Sequence, residues 1–313
     1  MKKNNIYLAT NLYSFFDRKT SVVMYNSILN SKKFGNDNIY LPFKDSNMKV
    51  STVGNVAKNI FEADIKSLNN TDVFITRLDG TSYAAGVGFE IGYCLAKRGP
   101  LYIFNTDFYQ NKLSSNTKYK LSPIMDKVAN IFKYEYINDS ELTYDGELDF
   151  NIKMFFKFVS EKIDNTKEKI YEYTKCDKKF DIFIDFSGMK YEWNKIIVDK
   201  ITKILDENSI IYWISNRYLP GYSVDIDLKN LKNSKIYLTC YDKNEPDIDS
   251  SILQWFAYYN KLNIISYESN PVKYYVEGKH EFGVTLMLEQ SCTKLTRSVD
   301  ETINEIINNI KYN

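Results

Sequence analysis

The chain is short of several things that protein chemistry often relies on. Its 313 residues include one histidine, His280, and four cysteines. A single imidazole excludes catalysis by paired histidines and any multi-histidine metal centre. Cys94, Cys176, Cys240 and Cys292 are far apart and form no CxxC pair. That spacing excludes a structural zinc site and fits a reducing, cytoplasmic setting. No metal and no cofactor are expected. Charge of one sign is also missing: 41 Lys+Arg against 40 Asp+Glu leave +1 at neutral pH. There is thus no electrostatic case for a nucleic-acid partner or a membrane surface. No run approaches the ~18 apolar residues of a membrane span. Met1–Thr10 holds two lysines but no apolar h-region, so no signal peptide is expected.

What remains is ordinary globular composition, 44% hydrophobic and 26% charged, at a length of about two domains of ~150 residues. The most informative stretch runs from Thr71 to Pro100. Asp72 precedes Val73-Phe74-Ile75, which has the β-branched content of a buried strand. Asp79-Gly80 signals a turn. Gly86, Gly88 and Glu90 then open a helix that continues through Ile91, Cys94 and Leu95. Lys97-Arg98-Gly99-Pro100 ends it with cations, a C-cap glycine and proline. Leu101–Phe104 is the next strand. The two glycines remove side chains where something must approach the backbone closely. A carboxylate at a helix start is often no more than a dipole partner. A dinucleotide fingerprint fails, because three residues separate Gly88 from Gly92 and the motif does not follow the first strand.

Read in order, Asn5–Ala9 is a strand, Ser14–Asn30 a helix, Ile39–Pro42 a strand, Lys44–Met48 a polar loop and Val53–Leu68 a helix. Leu121–Ile131 and Asn151–Ile170 read as further helices. Alternating strands and helices predict a parallel α/β sheet with its site at the carboxyl ends of the strands. The chain then restarts, with Phe180–Ile184 as a first strand and Tyr191–Leu205 as a first helix. Ala63–Gly80 matches Ile226–Lys243 at a displacement of 227 − 64 = 163 residues. Ser122–Met125 and Val284–Met287 repeat it at 287 − 125 = 162. The expected fold is therefore two flavodoxin- or Rossmann-like parallel-sheet domains related by internal duplication, residues 1–175 and 176–313.

Asp72, Leu78-Asp79-Gly80 and Gly86-Val-Gly88-Phe-Glu90-Ile-Gly92-Tyr93, with the opening strand Ile6-Tyr7-Leu8-Ala9, resemble the core of the nucleoside 2-deoxyribosyltransferase family over roughly residues 5–105. The resemblance implies a retaining, ping-pong exchange of the base on a 2′-deoxynucleoside through a covalent ester at Glu90. It implies Tyr7 as the group that orients Glu90 and Asp72 as the acid that protonates or holds the base. Asp79, Gly86, Gly88, Asn11 and Ser82 form the substrate-binding set. In the family a neighbouring subunit contributes an Asn-x-Met segment, which Thr285-Leu286-Met287 resembles. The second copy has Lys235 for Asp72 and Leu253 or Gln254 for Glu90, neither of them anionic. It is therefore expected to be a degenerate pseudo-subunit that completes the first copy's site, in a homodimer or a pseudo-dimeric monomer. Asp64 recurs as Asp227 in that copy, which favours a structural role for it.

One departure bears on substrate. The family carriers a sugar-binding carboxylate six residues before the nucleophile, and this chain has Ala84. Three functions stay open: deoxyribosyl transfer between a nucleoside or nucleotide and a free nucleobase, N-glycosidic hydrolysis of a nucleoside, nucleotide or NAD-like substrate, and non-catalytic nucleotide sensing.

Overall fold

The computed structural model describes residues 3–11, 14–45, 56–79, 84–106, 111–112, 118–134, 144–164, 169–172, 179–186, 192–217, 222–241, 247–269, 274–276, 280–282 and 286–311. The first half runs β1 (Asn5–Ala9), α1 (Phe15–Leu29), β2 (Asn38–Tyr40), α2 (Pro42–Asp45), α3 (Val56–Asn69), β3 (Val73–Leu78), α4 (Ala85–Lys97) and β4 (Leu101–Asn105). It continues with β5 (Asn111–Lys112), β6 (Lys118–Tyr119), α5 (Pro123–Val128), β7 (Asn130–Lys133) and α6 (Tyr144–Asp164). The second half runs β8 (Phe180–Asp185), α7 (Glu192–Glu207), β9 (Tyr212–Ile214), α8 (Val224–Lys232), β10 (Ser234–Tyr241), α9 (Ile248–Tyr259) and β11 (Asn263–Glu268). After these come β12 (Tyr274–Val276), β13 (His280–Phe282), α10 (Leu286–Ser291), β14 (Lys294–Thr296) and α11 (Val299–Lys311).

The α/β expectation holds: there are two five-stranded, all-parallel sheets. One has the order β2-β1-β3-β4-β7 and the other β9-β8-β10-β11-β14. Numbered by their own strands, both are 2-1-3-4-5, the flavodoxin-like order. Each carries a two-stranded antiparallel insert, β5-β6 or β12-β13. The registers correspond as well. Phe74 pairs with Leu101 and Tyr237 with Ile264, so 237 − 74 = 163 and 264 − 101 = 163. Arg98 and Lys261 both take left-handed backbone, with φ of 59° and 60°, just past α4 and α9. Their separation is again 261 − 98 = 163. The helix stop is thus set by Arg98 in a conformation that normally favours glycine, and not by Gly99 as the sequence predicts. These coincidences support an internal duplication.

The cores are built alike. In the first sheet Ile6, Leu8, Val73, Ile75, Tyr102 and Phe104 pack on Met24 and Ile28 of α1 and on Ile152, Phe155 and Val159 of α6. In the second, Ile182, Ile184, Ile236, Leu238 and Ile265 pack on Val198, Ile201 and Leu205 of α7 and Ile303 and Ile306 of α11. By packing, the chain divides into two interleaved units. One holds residues 1–83, 97–109 and 128–171, and the other holds 84–96, 110–127 and 172–313. Helix α4, with Glu90, therefore belongs to the unit that contains the second sheet. The helix predicted over Leu121–Ile131 is shorter than expected: α5 stops at Val128 and Asn130–Lys133 joins the sheet edge beside β4. Asn130 supplies part of the reason, because its amide donates to the Leu101 carbonyl at 3.2 Å, a bond the helix interior would not offer.

Candidate active site

Helix α4 is apolar almost all round, and its glycines have a definite use. A Cβ on Gly88 would lie 2.6 Å from Ile248 Cδ1 and 3.0 Å from Ser251 Cβ. One on Gly92 would lie 2.2 Å from the Ile252 carbonyl oxygen. Bare backbone at these two positions, four residues apart on one face, lets α9 approach closely. Aromatic rings continue the contact: Phe89 meets Trp255 edge-on at 3.7 Å between centroids, and Tyr93 lies 5.3 Å from Tyr259. The close approach that the sequence reserves for a ligand at Gly88 is thus made by a helix. Gly86 differs, since the nearest atom to a Cβ there is Met287 Cγ at 3.9 Å. The structure brings Gly86 and Met287 together, at the start of the helix that carries Glu90.

Glu90 is the sixth residue of α4 and 6% exposed. It stands beyond the first turn, so the helix dipole is a weaker argument for it than its sequence position suggests. A buried carboxylate of this kind requires partners or function. In the other copy α9 begins 248 − 85 = 163 residues later, which puts buried Leu253 opposite Glu90 and Asp249 opposite Gly86. Asp249 thus carries a carboxylate at the position where the first copy has the bare Gly86. Its carboxylate accepts from the Ser122 hydroxyl and, at 3.3 Å, from the Ile124 N–H. Burial pushes it up to about 7 against the pull of Arg217. Arg217 is itself held by Asp185 at 2.7 Å and donates to Ser250 Oγ at 2.7 Å. Gln254 is tied to the Leu288 carbonyl and Ser291. The second copy thus has bonded polar side chains, Asp249 and Gln254, around the place where the first keeps the Glu90 carboxylate.

In the unit of the first sheet, Tyr7 is fully buried in β1, its ring 5.2 Å from Tyr40 and stacked on Phe74 at 5.5 Å. The Tyr40 hydroxyl donates to Asp64 Oδ1 at 2.8 Å. Asp64 on α3 is buried, and loss of solvent raises its carboxyl to about 6 against the opposing Tyr40 hydrogen bond. Its other oxygen has no hydrogen bond among the described residues. The corresponding Asp227 is also raised to about 6, but both of its oxygens are taken, by Trp213 Nε1 at 2.8 Å and by Ser215 Oγ. Recurrence made Asp64 look structural; the copies differ in how the carboxyl is satisfied, which the sequence does not display.

Asp72 lies elsewhere. It precedes β3, at the amino end of the strand, and accepts from the Asn5 backbone N–H at 2.9 Å and the Asn5 side chain at 3.2 Å. Ligands of open parallel sheets bind at the opposite, carboxyl end. Asp79 is at that end, just past β3, where Arg77 and Thr106 hold it. Asn11, two residues past β1, has a buried amide oxygen without a hydrogen-bond partner among the described residues. Ser82 and Thr285 lie outside the described residues, as does most of the predicted domain join. Among the described residues no three His, Cys, Asp or Glu side chains group as a metal site, and no helix is long and apolar enough to cross a membrane.

Residues 6–140 match the family model described as Nucleoside 2-deoxyribosyltransferase. The match covers the N-terminal copy, including Tyr7, Asp64, Asp79 and Glu90, and supports chemistry on the N-glycosidic bond. A solved structure described as a conserved protein from Enterococcus faecalis V583 is 28% identical, covers 37% of this chain and 70% of its own, and has a TM-score of 0.32. No curated protein matches the chain.

Proposed function

We propose that the protein is a nucleoside 2-deoxyribosyltransferase with one live site, in the first copy. The observation that carries this reading is the buried Glu90 carboxylate inside the matched segment, set against Leu253 at the corresponding place in the second copy. Glu90 attacks C1′ of the deoxyribose, and the base departs as the ester forms. The leaving base takes a proton from Asp64, whose raised pKa keeps a protonated fraction near neutrality. Asp64 replaces Asp72 in this role because it is buried with a raised pKa and Asp72 is at the wrong end of its strand. The acceptor base then attacks C1′ and returns its proton to Asp64, which frees Glu90. Tyr7 and Tyr40 shape the wall beside Asp64, and Asp79 and Asn11 take sugar hydroxyls. Met287, seated on Gly86, is the second copy's contribution, in the manner of a fused neighbouring subunit.

The test is chromatography of a 2′-deoxynucleoside incubated with a different free base, with Glu90→Ala in parallel. A new deoxynucleoside that is absent with the variant is expected. Free base released without a new nucleoside moves the reading to N-glycosidic hydrolysis, which shares the same ester and differs only in the acceptor. No Glu90-dependent change with any nucleoside, nucleotide or NAD overturns the catalytic reading in favour of a binding protein.

A further inference from the structure

We propose that Tyr40 and Pro42 are positioning residues that give the two oxygens of Asp64 different tasks: Tyr40 holds Oδ1, and Pro42 offers no donor to Oδ2, which is thereby kept for the base. This rests on the glycosyl-transfer reading, in which Asp64 gives and takes back the proton of the base, and deepens it. Tyr40 is the last residue of β2 and pairs with Tyr7 of β1. Its ring lies 5.2 Å from that of Tyr7, which is itself stacked on Phe74. This row of rings limits where the Tyr40 hydroxyl can point. From there the hydroxyl donates to Asp64 Oδ1 at 2.8 Å. An oxygen that already accepts a hydroxyl proton is the carbonyl oxygen of a protonated carboxyl, so the acid's own proton sits on Oδ2. Oδ2 has no hydrogen bond among the described residues.

The second copy displays the alternative. Tyr7 pairs with Tyr40 and Phe74, and Phe183 pairs with Trp213 and Tyr237. Trp213 therefore stands where Tyr40 does, at a displacement of 213 − 40 = 173, and Ser215 stands where Pro42 does, since 215 − 42 = 173. Trp213 Nε1 donates to Asp227 Oδ1 at 2.8 Å, so the hold on the first oxygen is common to both copies. The second oxygen differs. Ser215 Oγ donates to Asp227 Oδ2. A proline at that place has neither a hydroxyl nor an N–H to give. The preceding N–H, of Leu41, is committed to Asp45 Oδ2 at 2.8 Å. Buried polar atoms normally find a partner. In the copy that has Leu253 at the position of Glu90 the donor is built in; in the copy with Glu90 it is left to a ligand. A nucleobase fits that vacancy in both directions of the exchange. As the C1′–N bond breaks, its electron pair stays with the departing base, whose ring nitrogen takes the proton from Oδ2. An acceptor base then attacks C1′ and returns a proton to the same oxygen.

The test follows the pH dependence of exchange between the 2′-deoxynucleosides of the four natural bases and a different free base, in wild type, Tyr40→Phe, Pro42→Ser and Pro42→Ala. Burial raises the Asp64 carboxyl to about 6, and the Tyr40 hydrogen bond opposes it. The charged residues of α2, Lys44 and Asp45, and the other charged residues described on α3, Lys58, Glu62 and Lys66, are exposed. Tyr40→Phe keeps the ring and loses the hydrogen bond. It should lower kcat by roughly 10–100-fold, the worth of a hydrogen bond to a charged group. It should also move the alkaline decline of the rate to higher pH, because the carboxylate has lost a donor. Pro42→Ser offers Oδ2 the second copy's donor, so it should lower kcat and move the decline to lower pH. Pro42→Ala makes the same backbone change without the hydroxyl and should move the decline less than Pro42→Ser does. A decline that stays in place in Tyr40→Phe, or equal shifts in the two Pro42 variants, overturns the inference and leaves both residues structural. Melting temperatures check the fold, and Tyr40→Phe decides alone if the Pro42 variants unfold. Should wild type turn over no nucleoside, the glycosyl-transfer reading falls by itself. The division of the two oxygens is then read from carbon-13 NMR of the Asp64 carboxyl, assigned by its loss in Asp64→Asn. Opposite shifts of its titration in Tyr40→Phe and Pro42→Ser keep the division, and any other pattern sinks it.

Discussion

A Cβ built on Gly92 would stand 2.2 Å from the carbonyl oxygen of Ile252, inside any tolerable contact, so α4 and α9 meet backbone to backbone at that point. Gly92→Ala should therefore force the helices apart and cost about 3 kcal/mol, at the upper end of what overpacking costs. Gly88→Ala meets first the flexible end of Ile248 and should cost less, about 1–2 kcal/mol. Gly86→Ala has only Met287 at contact distance and should be neutral or slightly stabilising, by up to ~1 kcal/mol from helix propensity. Chemical denaturation of the three variants checks the ranking. Equal losses would show that the glycines do not act through this contact.

On the glycosyl-transfer reading, Glu90→Gln removes the nucleophile while keeping the shape, so turnover should vanish while the fold survives. Mass spectrometry after a brief pulse of deoxynucleoside should show a deoxyribosyl adduct on the Glu90 peptide in wild type and none in the variant. An adduct on a different peptide would refute the assignment.

Asp64→Asn should lower kcat by roughly 10²–10⁴, the usual worth of a positioned acid. Asp64 must be protonated to act, and its carboxyl is raised to about 6. The wild-type rate should therefore decline as pH rises through 6, and that limb should be missing from the variant. Asp72→Asn should leave the pH profile unchanged while weakening the tie to Asn5. The opposite pattern would return the acid role to Asp72.

Asp249 carries a stability signature. Its folded carboxyl is raised from 3.8 to about 7 by burial, so the folded state holds its proton where the unfolded chain has lost it. The stabilisation is complete below about pH 4 and is lost as pH rises through 7. Between pH 5 and pH 8 this group should remove ~2–3 kcal/mol, seen as a falling melting temperature. Asp227 and Asp64, both raised to about 6, act in the same direction. Asp249→Asn should flatten the slope without abolishing it, and an unchanged slope would place the titration elsewhere.

Much of the architecture is legible in the sequence. The strand at Asn5–Ala9 is placed to the residue, and Ser14 and Asn30 bound α1 as its caps. The 163-residue displacement reappears in strand register, because pairing partners must shift together when a whole sheet repeats. What was not legible depends on contacts distant in sequence. A glycine looks the same whether it admits a sugar or the α9 backbone, so Gly88 and Gly86 could not be told apart. Asp64 and Asp227 are the same residue in the same place, and only their partners, Tyr40 against Trp213 with Ser215, separate a half-satisfied carboxyl from a fully satisfied one. Asp72 drew attention as an acid before a strand, but the strand's polarity puts it away from the carboxyl ends. Arg77 gave no signal, since a cation inside an apolar strand reads as an interruption until Asp17 and Asp79 are seen beside it.

The pairing of α4 with α9 lies within one chain. In an assembly of identical subunits every substitution is made twice, so an open Gly86 on one side would mean an open glycine on the other. Here one side keeps Gly86 and the other has Asp249 bonded to Ser122. Each face of the pair can change without altering its opposite, and no dilution of the protein separates them. Covalent fusion thus makes asymmetry heritable, and holds the two faces at an effective concentration that cellular abundance does not set.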